Sequence, residues 1–174
     1  MDASTEMLRR ARERLPAVTF ALGDLQRLPL ASGSVDFVVS GLALSHVDPL
    51  EPVLAEFARV LRPAGHLVIS DVHAELVFRG SVVRAVGTDQ QPQLAATYRH
   101  TVGDFLRAAL GAGFAVRGFD EQAHPESAVA PVPEPTQDIG TWQEWPWTLL
   151  GMVPEASRAA WDQPAVVLWH LQLG

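Results

Sequence analysis

Gly23-Asp24-Leu25, then Leu28-Pro29-Leu30, then Val35-Asp36-Phe37-Val38-Val39-Ser40 is the stretch whose reading decides the fold. A glycine–acid pair closes a short apolar run, Val18 to Leu22, that reads as a strand. Val35 to Ser40 is a nearly continuous β-branched and apolar run, the mark of a strand buried on both faces. Upstream stands Met1-Asp2-Ala3-Ser4-Thr5-Glu6-Met7-Leu8, an acid followed by a helix start. Ser4 can accept a hydrogen bond from the first-turn amides. Met7, Leu8, Ala11 and Leu15 then share one face of a helix that runs to about Arg14 and ends at Pro16.

The same grammar continues downstream. Asp48-Pro49-Leu50-Glu51 reads as a helix start, with Asp48 as cap, Pro49 at the first helical position and Glu51 reaching back. Leu50, Val53, Leu54, Phe57, Val60 and Leu61 follow helical spacing. Pro63 and Gly65 stop that helix, and His66 to Asp71 is the next strand. Residues 72–100 have weak periodicity and read as loop with one short helix. Thr101-Val102-Gly103-Asp104 starts another helix, with Phe105, Leu106, Ala109 and Leu110 inward. Phe114 to Phe119 alternates as a strand. Residues 120–141, rich in proline and acids, read as an extended surface connection. Trp142 to Trp161 reads as part helix, and Ala165 to Leu173 as a closing strand. Strands alternating with helices imply an α/β fold with a mostly parallel sheet, a single domain over 1–174.

Composition narrows the function. The chain has 174 residues, 48% of them apolar, enough for one domain with a core. A net charge of -7 argues against a nucleic-acid partner. No apolar run is long enough for a membrane span, and no signal pattern opens the chain, so the expectation is a cytoplasmic protein without a membrane partner. There is no cysteine, hence no thiol nucleophile and no cysteine zinc site. All thirteen basic residues are arginine, which excludes a phosphate-binding or Schiff-base lysine. The histidines show no metal-ligand spacing, and no metal site is expected.

In an open parallel sheet, ligands bind beyond the carboxyl ends of the strands. Asp2, Asp24, Ser40 and Asp71 each stand at such an end and form one polar rim. The order of acids, helix and strands resembles the class I S-adenosylmethionine-dependent methyltransferases, in particular the small-molecule branch that includes quinone-biosynthesis C-methyltransferases. Leu44-Ser45-His46-Val47 resembles that family's Leu-His-His-Val. Arg59-Val60-Leu61-Arg62-Pro63-Ala64-Gly65 resembles its Arg-Val-Leu-Arg-Pro-Gly-Gly, with Ala64 as a departure. The likeness covers residues 1 to about 119 and, more loosely, the closing strand.

The resemblance implies a Rossmann-like methyltransferase sheet in the order 3-2-1-4-5-7-6, mostly parallel with an antiparallel C-terminal strand. It implies S-adenosyl-L-methionine as cofactor. Asp2, with Ala3 beside it, matches the acid that binds both ribose hydroxyls. A carboxylate suits a vicinal diol because its two oxygens accept from two donors. Asp24 and Leu25 match the pair that takes the adenine amino group and a ring nitrogen. Ser40 and Gly41 match the loop that lines the methionine part. His46 is the candidate base for a methyl acceptor that must lose a proton. His73 and His100 are weaker candidates, and His170 reads as structural.

Residues 72–100 and 120–147 are expected on the substrate side, where loops carry specificity. The glycine-rich loop of that family has no counterpart before Asp2, so the expectation is an N-terminally truncated sheet. Val35 to Ser40 then becomes an apolar edge, with self-association or a partner chain as its consequence and weak cofactor binding as another. Two other readings stay open at this point. One is a nicotinamide-dependent oxidoreductase, which also uses a strand-end acid. The other is a non-catalytic binding or assembly subunit with a degenerate fold.

Overall fold

The computed structural model describes residues 1–80, 83–86, 89, 91–123 and 163–174. Helix α1 (Thr5–Arg14) is capped by Ser4, whose Oγ accepts from the Met7 amide at 3.3 Å. Its expected apolar face is only partly used: Leu8 is buried, whereas Met7 and Leu15 face solvent. Strand β1 (Val35–Gly41), helix α2 (Glu51–Val60) and strand β2 (Leu61–Val72) follow, with a single 3-10 turn at Leu44–His46 between β1 and α2. Next come α3 (Ala74–Phe78), the hairpin β3 (Val83–Val86) and β4 (Pro92–Ala95), α4 (Val102–Gly111), β5 (Phe114–Ala123) and β6 (Pro164–Leu173).

The main sheet has the order β1-β2-β6-β5. β1 runs parallel to β2, and β6 is antiparallel to both of its neighbours. β1, β2 and β5 therefore point one way and β6 the other. This is the mixed α/β sheet expected, with its antiparallel C-terminal strand. Burial alternates along β2 and β6, so one face is closed and the other half-open. On the closed face Leu67, Ile69, Trp169 and Leu171 join Val53, Leu54 and Phe57 of α2 and Phe105, Ala108 and Ala109 of α4 in one core. Trp169 stacks on Phe105 at 5.5 Å and packs against Phe119 at 4.4 Å between ring centroids. Truncating a core aromatic such as Phe57 to Ala would cost roughly 3–5 kcal/mol.

Several expectations need correction. Val18 to Leu22 is not a strand; only Leu22 pairs, in one parallel bridge to Asp2. A strand needs a ladder, and the segment beside it supplies a single residue. β1 is not buried on both faces: among the described residues it pairs only with β2, and Phe37 and Val39 are 55% and 69% exposed. Helix α2 begins at Glu51 with Leu50 as its cap residue and Pro52 in its first turn, not at Asp48-Pro49. Burial of Leu50 in the core fixes that start. In α4 the inward residues are Phe105, Ala108 and Ala109, while Leu110 faces out. Residues 72–100 hold the β3–β4 hairpin besides the expected helix. The extended connection and the tryptophan-rich segment, beyond Ala123, lie outside the described residues.

The backbone that follows α2 is tight. Ala64 takes a left-handed φ of 63°. A Cβ on Gly65 would sit 2.8 Å from the Arg62 carbonyl and 3.2 Å from the Asp36 carbonyl, so only glycine fits there. The pairing register jumps at this point, from Val35↔Leu61 to Phe37↔His66.

Candidate cofactor site and the His46 turn

Asp2 and Asp24 are brought together by the bridge between Asp2 and Leu22. The Asp2 amide donates to the Ala21 carbonyl at 3.3 Å, and the Gly23 amide donates to the Asp2 carbonyl at 3.1 Å. Both carboxylates are exposed, and each is anchored through one oxygen. Asp2 Oδ1 accepts from the Ser4 amide at 2.7 Å, and Asp24 Oδ1 accepts from the Gln26 amide at 2.9 Å. In each, no described residue bonds the second oxygen, and none accepts from the Leu25 amide. Ala3 is exposed between Asp2 and the helix cap.

The segment behind Asp24 is held by α2. Glu56 accepts from the Leu28 amide at 2.7 Å, and Arg59 donates to the Leu28 carbonyl at 3.3 Å and to Ser32 Oγ at 3.1 Å. Glu56 and Arg59 pair at 2.7 Å. The Arg59 hydrogen bond holds the Glu56 carboxyl below the usual glutamate range, and Glu56 in turn raises the Arg59 guanidinium. The sequence reading missed this clamp, although the spacing of Glu56 and Arg59 on one helix face is a readable signal.

Ser40 and Gly41 end β1. Ser40 is buried, and its Oγ has no hydrogen-bond partner. Gly41 has open space where a side chain would be. Leu42 follows with a left-handed φ of 51°, its amide donating to the Ser70 carbonyl at 2.8 Å. A non-glycine residue held there stores strain at the mouth of the candidate site.

Asp71 does not belong to an open rim. It is 1% exposed and turned into the fold. Its Oδ2 accepts from the Leu44 amide at 2.6 Å and the Ser45 amide at 3.3 Å, and its Oδ1 from the Val72 amide at 2.7 Å. The carboxylate is consumed by backbone amides and carries the turn on which His46 sits.

His46 is exposed on that turn, with Nδ1 at 3.1 Å from the Ala96 carbonyl. A carbonyl only accepts, so Nδ1 carries the proton and the Nε2 lone pair is left for chemistry. The weaker candidates are occupied. His73 caps α3 through Nδ1 and donates from Nε2 to Glu121 at 2.9 Å. His100 Nε2 donates to the Val47 carbonyl at 2.7 Å and the Leu44 carbonyl at 3.1 Å. His170 pairs with His66 at 3.0 Å, across the sheet.

The orphaned Ser40 hydroxyl, the open Gly41 and the uncommitted carboxylate oxygens of Asp2 and Asp24 fit a nucleoside with a polar tail. Residues 1–69 match the family described as the methyltransferase domain. A demethylmenaquinone methyltransferase of Beutenbergia cavernae is 41% identical over 70 residues, 40% of this chain and 29% of that protein. A malonyl-[acyl-carrier protein] O-methyltransferase of Laribacter hongkongensis is 52% identical over 63 residues, 36% of this chain and 20% of that protein. These matches span less than a third of either relative. An S-adenosylmethionine-dependent methyltransferase structure from Mesorhizobium loti superposes with a TM-score of 0.62 at 21% identity, covering 98% of this chain and 77% of that one. That likeness carries the fold. The sequence matches are to methyltransferases, not to oxidoreductases.

Proposed function

We propose that this chain, whose residues 1–69 match the methyltransferase domain and whose fold superposes on that of an S-adenosylmethionine-dependent methyltransferase, methylates a small molecule with S-adenosylmethionine as the methyl donor. The observation that carries the reading is the bridge of Asp2 to Leu22, which sets two half-committed carboxylates on adjacent segments. Asp2 would hold the ribose diol, with Ala3 beside it. Asp24 would hold the adenine amino group and the Leu25 amide a ring nitrogen. Ser40 and Gly41 would line the methionine part. Bound S-adenosylmethionine supplies an electrophilic methyl on a sulfonium whose leaving form is a neutral thioether. The protein's share is then largely positioning. His46 Nε2 accepts the proton of an acceptor that must lose one.

The segments 72–100 and 120–147 are assigned the role of acceptor recognition; for the first, the support is that residues after β4 bond to the His46 turn. The quinone and acyl-carrier-bound acceptors in the relatives' names are candidate chemistries for the substrate. A cytoplasmic location is part of this proposal; among the described residues no helix is long and apolar enough to cross a membrane. The β1 edge, unpaired among the described residues, supports self-association or a partner chain.

The deciding experiment is calorimetric titration with S-adenosylmethionine. Asp2→Ala should weaken binding by about 1.5–3 kcal/mol, the worth of a hydrogen bond to a charged group. A parent that binds measurably and a variant of equal affinity together refute the assignment of Asp2.

A further inference from the structure

Three residues of the segment after β4, Ala96, Tyr98 and His100, tie it to the turn that bears His46. The Ala96 carbonyl accepts from His46 Nδ1 at 3.1 Å. The Tyr98 amide donates to the Ser45 carbonyl at 2.8 Å. His100 Nε2 donates to the carbonyls of Leu44 and Val47, on either side of His46. Asp71 closes the turn from below by accepting from the Leu44 and Ser45 amides. Every polar backbone group of Leu44 and Ser45 is thus engaged, and the His46 ring is held by one further bond.

We infer that residues 96–100 are a strap that fixes both the place and the tautomer of His46, with His100 as its positioning residue. The inference rests on the reading of His46 as the base. It adds the reason why that histidine presents Nε2. An unrestrained exposed imidazole exchanges its proton between both nitrogens. Here a carbonyl held at Nδ1 selects one form, because only a protonated nitrogen bonds to it. The carbonyl stays in place only while His100 and the Tyr98 amide hold the strap against the turn. The strap is also the direct exit of the β3–β4 hairpin, since Ala96 follows β4 at once. The segment read as the acceptor side therefore sets the poise of the base.

His100 combines donation with packing. It packs edge-on against Phe105 at 6.1 Å and stacks with Tyr98 at 6.5 Å. Its two roles, packing and donation, separate by substitution. His100→Phe keeps a ring and removes the donor. His100→Gln removes the ring and keeps an amide donor near the position of Nε2.

The test reads the ring nitrogens of His46 by nitrogen-15 NMR in the 174-residue chain at a pH where the imidazole is neutral. The parent should show His46 in the Nδ1–H form. His100→Phe should lose that preference and show the mixed forms of a free imidazole, while His100→Gln should restore it. A parent in the Nε2–H form overturns the inference without any variant. So does a folded His100→Phe that keeps Nδ1–H. If His100→Phe does not fold, His100→Asn, whose shorter amide cannot span both carbonyls, takes its place with the same two outcomes. Methyl transfer that survives His46→Ala would refute the base and leave the tautomer result standing, so the two failures are distinguishable.

Discussion

Replacing Asp71 by Asn should destabilise the protein far more than its isosteric shape suggests. The carboxylate accepts from Leu44 and Val72 at 2.6 and 2.7 Å through different oxygens, and from Ser45 at 3.3 Å. Asn has one acceptor oxygen. Whichever amide it serves, its own NH2 faces the other. One charge-assisted bond is lost, worth about 1.5–3 kcal/mol, and a backbone N–H is left buried without a partner, costing about 1–3 kcal/mol more. Relief from burying a charge offsets part of this. The net expectation is a loss of roughly 3–4 kcal/mol. Equilibrium urea unfolding measures it: with a slope near 2 kcal/mol/M, the midpoint should fall by roughly 1.5–2 M. Amide exchange at Leu44 and Ser45 should accelerate beyond the global change. A midpoint shift under about 0.5 M would refute the view that this acid carries the turn.

Other consequences are as direct. Ala64→Gly relieves a left-handed alanine and should stabilise by about 0.5–1 kcal/mol net of the added chain entropy; a loss of stability would refute the strain argument. Glu56 has a folded-state pKa held below its ordinary 4.5, so the stability it contributes is present above that value and is lost as pH falls through the folded value. The stability difference between the parent and Glu56→Gln should therefore shrink in acid, and a difference independent of pH would contradict the clamp. Val39→Lys, at a site 69% exposed, should leave the unfolding midpoint nearly unchanged and reduce self-association in sedimentation; equal association in both proteins would acquit the β1 edge.

The order of elements was readable because each announces itself locally. Val35 to Ser40, Leu50 to Leu61 and Ala165 to Leu173 all appear close to where their apolar patterns put them. Thr101 and Asp104 form the capping box their spacing suggests. What failed depended on distant partners. Val18 to Leu22 has strand chemistry but almost no ladder. Asp48 has cap chemistry, yet Val47 before it is tied to His100, and the helix starts where Leu50 enters the core. The β3–β4 hairpin lacks an alternating pattern. At the site, the positions of Asp2, Asp24, Ser40 and His46 at segment ends were legible. The role of Asp71 was not, because its partners lie 26 and 27 residues away. Nor was the role of His100, whose partners lie 53 and 56 residues away.

The placement of β6 has a consequence for how the chain is made. It comes from Pro164–Leu173, yet lies between β2 and β5. The His66–His170 pair alone joins residues 104 apart. On a ribosome, β1 and β2 can pair early, while β5 emerges with its only described neighbour still unsynthesised. Half of the sheet must wait, with Phe114 and Phe105 of α4 lacking their β6 cover until Trp169 and Leu171 arrive. Nascent chains stalled before residue 164 should accordingly be the ones that engage chaperones, and closure should come late and all at once.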